Sequence, residues 1–68
     1  MKLAKEGDTI EWSFDKDDMF TTLAGKTFRA EVVGLDKEER VYAVMAEYGP
    51  DYIPFDNCKI IKTKEDGK

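Results

Sequence analysis

The chain has no histidine and a single cysteine, Cys58, so two common supports of very small domains are missing. One thiol forms no disulfide within the chain, and without histidine there is no cysteine–histidine zinc set. The same absences remove the usual acid–base side chain and every Ser-His or Cys-His pair, and no glycine-rich phosphate loop is present. No enzyme, cofactor or metal is expected. Long apolar runs are also lacking. The longest, such as Val41 to Ala46, falls far short of the roughly 20 residues that cross a bilayer, so no membrane contact is expected. No basic, apolar and small-residue succession marks a secretory leader, and a lone thiol suits a reducing compartment, so the expected location is cytoplasmic.

What remains must fold by packing, or by pairing with a copy. Sixty-eight residues make one domain, and a chain that short buries only about 60% of its unfolded surface. Eleven basic side chains face fifteen acidic ones, a net charge of −4 spread along the chain. Binding to phosphate backbones scales with the lysines and arginines that displace counterions, so this balance opposes a purely electrostatic grip while leaving room for a local basic patch.

The main positive signal is two-residue alternation. In DTIEWSF, Ile10, Trp12 and Phe14 share one face while Thr9, Glu11 and Ser13 share the other, which predicts a half-buried strand opened by a turn at Gly7-Asp8. Residues 15 to 26 lack alternation and read as a long loop, with Met19, Phe20 and Leu23 folding back as a lid. Alternation resumes in TFRAEVVGLD, with Phe28, Ala30 and Val32 on one face, and ends in the polar turn LDKEER. In VYAVMAEY both Val41, Ala43, Met45 and Tyr42, Val44, Ala46, Tyr48 are apolar sets, which predicts a central strand, the spine of a small closed or nearly closed sheet. Gly49-Pro50-Asp51 then breaks the ladder, Tyr52-Ile53 opens a short strand, Pro54 to Asn57 wind one helical turn, and Lys59-Ile60-Ile61 closes the sheet. Residues 63–68 are expected to fray.

These elements predict an all-β fold over residues 1–62: a five-stranded SH3-like barrel with a long first loop and a one-turn helix before the last strand. The competing reading makes Asp17 to Leu23 a helix and gives an α+β fold. The run DYIPFDNCKII, residues 51–61, resembles the close of SH3 domains, in which a tyrosine-isoleucine-proline segment leads into a one-turn helix and the last strand. The opening KEGDTIEW, with FRAEVVGLD, resembles KOW-type barrels and small uncharacterised Firmicutes proteins of the same shape. The first resemblance matches Tyr52, Pro54 and Asn57 by residue type. The second matches Gly7 and Asp8 as turn residues. The acidic-aromatic first strand of peptide-binding SH3 domains is missing, and the tryptophan lies at Trp12 instead of after the central loop, so their proline-peptide groove does not transfer.

Three places stand out as candidate sites. Tyr48 and Tyr52, with Phe55 and with Phe20 from the long loop, form a partner-binding corner if they are exposed; Phe55 is the one expected in the core. Lys26, Arg29, Lys59 and Lys62, joined by Lys64, form a basic edge if the last strand lies beside the second, although lysines on an edge strand also serve to prevent aggregation. Asp15, Asp17 and Asp18 suggest a calcium loop, but counting from Asp15 the required glycine and glutamate positions hold Phe20 and Lys26. Cys58 has no histidine to activate it and reads as structural. Two functions follow: a non-catalytic protein-binding module, or a KOW-like factor associated with RNA or a ribonucleoprotein. Either is expected as a monomer or weak homodimer.

Overall fold

The computed structural model describes residues 3–15, 22 and 24–64 of the chain. Five strands follow one another: β1 (Thr9–Ser13), β2 (Thr27–Asp36), β3 (Val41–Ala46), β4 (Gly49–Pro54) and β5 (Lys59–Lys62), with a single-turn 3-10 helix, Phe55–Asn57, before β5. They form one antiparallel sheet in the order β4-β3-β2-β1-β5. The all-β expectation, the five strands and the helical turn are therefore present. The Met19, Phe20 and Leu23 lid and the helix of the competing reading lie outside the described residues.

Two features depart from expectation. The centre of the sheet is β2, not β3. Its ten residues pair β1 with the first half and β3 with the second, and an irregularity between Val32 and Gly34 lets the strand turn between the two ladders. Gly49-Pro50-Asp51 belongs to β4, and the turn is the two-residue Glu47-Tyr48 pair, entered with Ala46 opposite Gly49, whose φ is 118°. Lys64 donates its backbone N–H to Asp8 Oδ1 at 2.9 Å, and residues 65–68 of the expected tail lie outside the described residues.

Closure of the sheet into a barrel is not established, because among the described residues β4 and β5 remain its two edges. The chemistry of β4 explains why that edge stays unpaired. Pro50 and Pro54 have no N–H to offer, and Tyr52, which shares their parity, spends its N–H on Asp51 Oδ1 at 2.7 Å. Phe55 N donating to Arg40 O at 3.0 Å leaves the Pro54 nitrogen facing away from β3. The outer edge of β4 thus presents no backbone donor at these three positions, a barrier to strand addition.

The core joins both halves of the sheet. Ile10 and Trp12 from β1, Val32 from β2, Tyr42, Val44 and Ala46 from β3, Ile53 from β4 and Phe55 from the helical turn are buried together with Ala4. The Tyr42 and Phe55 rings pack with centroids 4.6 Å apart, and the buried Tyr42 hydroxyl accepts the Ala4 N–H at 2.9 Å. That bond draws the N-terminal segment over the core. Asp8 fastens the same end: buried to 6% exposure, it accepts Lys5 N–H on Oδ2 and Lys64 N–H on Oδ1, both at 2.9 Å. Gly7 precedes it at φ 94°, where an added Cβ would come within 2.6 Å of the Lys64 side chain. The Gly-Asp pair is thus a clamp between the two ends of the described chain as well as a turn.

Candidate docking surface

Alternation sends one set of side chains from β2, β3 and β4 into the core and the other outward. The outward set is Thr27, Arg29, Glu31, Val33 and Asp36 of β2, Val41, Ala43 and Met45 of β3, and Pro50, Tyr52 and Pro54 of β4. Cross-strand pairing lays Met45 against Pro50, Ala43 against Tyr52, and Val41 against Pro54. Charged residues make up 38% of the chain, yet every outward residue of β3 is apolar and that of β4 is proline or tyrosine. Val33 is 57% exposed, Met45 63% and Tyr52 69%. Exposed apolar side chains gathered on one face mark interaction sites.

The turn between β2 and β3 divides its charges between two sides. Asp36 Oδ1 accepts the N–H groups of Glu38 and Glu39 at 2.9 and 3.1 Å, which folds the turn back, and Arg40 closes it with a left-handed φ of 60°. Asp36 and Glu39, with Val41 and Tyr52, line an open groove of about 400 Å³ at one end of the apolar face. Lys37 and Arg40 line a separate groove with Leu3 and Phe55, and Arg40 lies 3.5 Å from Asp56.

The two tyrosines singled out in the sequence do not share a platform. Tyr52 lies on the outer face. Tyr48 packs instead against Phe28 and Phe14, with ring centroids 5.1 and 5.8 Å away, in an edge-to-face cluster that reaches Trp12. Trp12 Nε1–H donates to the Tyr48 hydroxyl at 3.2 Å, and that hydroxyl donates to Asp51 Oδ2 at 2.5 Å. Phe55 is in the core, as expected, and Phe20 lies outside the described residues. The Tyr48 phenol is pushed up to about 12, first by burial and then by its hydrogen bond to the Asp51 carboxylate, against the opposing Trp12 bond. A folded-state pKa above the ordinary 10.0 means that Tyr48 favours the native state undiminished below about pH 10 and loses that effect as pH rises toward about 12. Ultraviolet titration of wild type and Asp51→Asn is the check: the substitution is expected to bring the Tyr48 transition down toward the ordinary value.

The basic edge needs the last strand beside the second, but β1 lies between β2 and β5, and its Glu11 carboxylate stands among the cations. Glu11 sits in register between Arg29 of β2 and Lys59 of β5, with Arg29 Nε at 2.8 Å and Lys59 Nζ at 3.3 Å. Hydrogen bonds from Arg29 and then Lys59 hold the Glu11 carboxyl below the ordinary 4.5, so this cross-strand set supports the fold above that pH and weakens as pH falls through the lowered value. Lys62 stands opposite Thr9, itself opposite Glu31, while Lys26 lies just before β2. Two of the four cations expected to meet phosphate are therefore already engaged with an anion.

Cys58 is half-buried, and its thiol donates weakly toward Pro54 O at 3.6 Å and Phe55 O at 3.8 Å. Burial, then the Asp56 charge, push its pKa above the ordinary 9.0. At about pH 8 its alkylation by iodoacetamide is expected to run slower in the folded protein than in urea; equal rates would show an accessible thiol instead.

Val33 and Met45 are the surface residues that site reasoning from the sequence missed. The second apolar face of VYAVMAEY is plain in the sequence, but apolar sets on both sides of a strand also signal burial on both sides, and alternation alone does not separate the two cases. Compared with known proteins, the chain matches no family model, no curated protein and no solved structure.

Proposed function

We propose that this chain is a non-catalytic protein-binding module built on an open, SH3-like five-stranded sheet, and that it docks a partner on the outer face of β2, β3 and β4. The observation that carries this reading is the exposure of Met45 and Tyr52 on the β3–β4 ladder, where they pair with Pro50 and Ala43, together with the exposed Val33 at the irregularity of β2. These residues contribute nothing to the buried core, and covering them would bring the hydrophobic gain that drives most protein association. Tyrosine and methionine suit such a face, since tyrosine presents a rigid, amphipathic ring and methionine adapts to irregular partners. Glu11 engages Arg29 and Lys59 of the basic edge, which favours protein over RNA as the partner, since RNA binding depends on cations left to displace counterions.

The test immobilises the protein at low salt and compares what it retains from lysate with what a Met45→Lys/Tyr52→Ala variant retains, before and after nuclease. Proteins held by the wild type after nuclease and lost by the variant support the docking face. Loss of everything with nuclease, together with a steep salt dependence, would transfer the protein to the RNA-associated class and make Lys26, Arg29, Lys59 and Lys62 the site.

A further inference from the structure

We propose that the groove between Tyr52 and the β2–β3 turn seats a cationic side chain, arginine or lysine, carried on an otherwise apolar segment of the partner protein. This rests on the docking reading above and names the chemistry of the occupant.

The groove has an apolar wall, Val41 and the Tyr52 ring, and an anionic one, Asp36 and Glu39. Asp36 is committed to the turn through one oxygen, which accepts both N–H groups, whereas Glu39 enters that pattern only through its backbone. The turn's own cations face elsewhere, Arg40 toward Asp56 and Lys37 with Arg40 along the Leu3 and Phe55 groove. A guanidinium can stack on an exposed tyrosine ring while its N–H groups reach a carboxylate, two interactions in one side chain. Its aliphatic stem would lie along Val41, and apolar neighbours in the same segment would cover Met45 and Val33.

Charge also argues against a second copy as the occupant. The face ends in Asp36 and Glu39 at one turn and in exposed Glu47 at the other, on a chain of net charge −4. A two-fold partner would bring acidic ends against acidic ends, a costly juxtaposition in an interface. Nor is the segment expected to extend the sheet from β4, whose Pro50, Tyr52 and Pro54 leave no outward backbone donor. It docks on the face.

The probe is a random-peptide library displayed on phage, selected on the wild type and counter-selected on the Met45→Lys/Tyr52→Ala variant. The selected peptide is then resynthesised with citrulline for each arginine, or norleucine for each lysine, and titrated into wild type and Glu39→Gln. The expected result is a peptide with a basic residue among apolar ones, weakened about tenfold when the charge is removed, the sum of one stacked cation and one exposed ion pair. That preference should shrink on Glu39→Gln, a substitution that keeps the turn's backbone bonds. Selected peptides that need Met45 and Tyr52 but are indifferent to charge would overturn this inference and leave the docking face standing. Absence of any peptide dependent on those two residues would overturn both. Sedimentation showing a dimer that the double variant abolishes would make the occupant a second copy and likewise overturn the basic-segment proposal.

Discussion

Replacing Asp8 with alanine is expected to leave the protein largely unfolded at room temperature. The carboxylate is buried and accepts the Lys5 and Lys64 N–H groups on separate oxygens, the second from a residue fifty-six positions away in sequence. Its own backbone bonds Lys5 O and Val32 N, so the residue stands where the two ends of the described chain meet β2. A hydrogen bond to a charged group contributes about 1.5–3 kcal/mol, and a donor stranded by loss of its acceptor keeps its desolvation cost. Losing both bonds therefore removes about 3–6 kcal/mol, comparable to the whole stability a core of this size supplies. Asp8→Asn offers a graded control. Its amide keeps one acceptor oxygen but turns an NH2 toward the second donor, so its cost should fall between wild type and Asp8→Ala. Urea denaturation followed by circular dichroism and Trp12 fluorescence measures both variants, and an unchanged midpoint for Asp8→Ala would show that the clamp contributes nothing.

The Met45→Lys/Tyr52→Ala variant is expected to do the reverse, losing its partner while keeping its fold. Both side chains are more than half exposed, and neither belongs to the buried cluster. Their cross-strand partners, Pro50 and Ala43, lose contacts that contribute only a few tenths of a kcal/mol to about 1 kcal/mol in a sheet. Central residues of an interface, by contrast, commonly cost about 2 kcal/mol or more on truncation, roughly a 30-fold loss of affinity. Placing a lysine ammonium under a covering partner adds a desolvation cost. The pairing of measurements is decisive: a denaturation midpoint near wild type together with lost capture locates binding on this face. A fall in midpoint large enough to explain the loss would instead mean that Met45 and Tyr52 support the sheet. Tyr48→Phe is a useful contrast. It disrupts the Trp12–Tyr48–Asp51 hydrogen-bond chain and should lower stability while sparing the outer face.

Much of the fold is legible in the sequence. That Ile10 and Trp12, Phe28, Ala30 and Val32, and Tyr42, Val44 and Ala46 each share a face follows from alternation, and all are buried or packed against the core. Phe55 in the core, the helical turn after Pro54 and the closing strand at Lys59–Lys62 are legible for similar reasons: proline and short apolar runs act locally. The departures share a source, which is that nearness in sequence stands in for nearness in space. A ladder break at Gly49-Pro50-Asp51 presumes that proline ends a strand, whereas an outward-facing nitrogen costs the ladder nothing. Tyr48 and Tyr52 are near in sequence and so suggest one corner, but one caps an aromatic cluster while the other faces outward. The basic edge reads as cationic because Glu11 lies far in sequence from Lys59, though it stands beside it in the sheet.

By itself, then, the sequence determined which residues share a face on each strand, because side-chain direction alternates along any extended backbone regardless of what lies beyond it. It determined too that neither disulfide nor histidine ligand could support the fold. Only the tertiary structure decided which apolar face is covered and which is left open, that Asp8 holds both ends of the described chain, and that Glu11 pairs with both Arg29 and Lys59. Those outcomes depend on which distant segments become neighbours, and a pattern with a period of two residues carries no information about neighbours far along the chain.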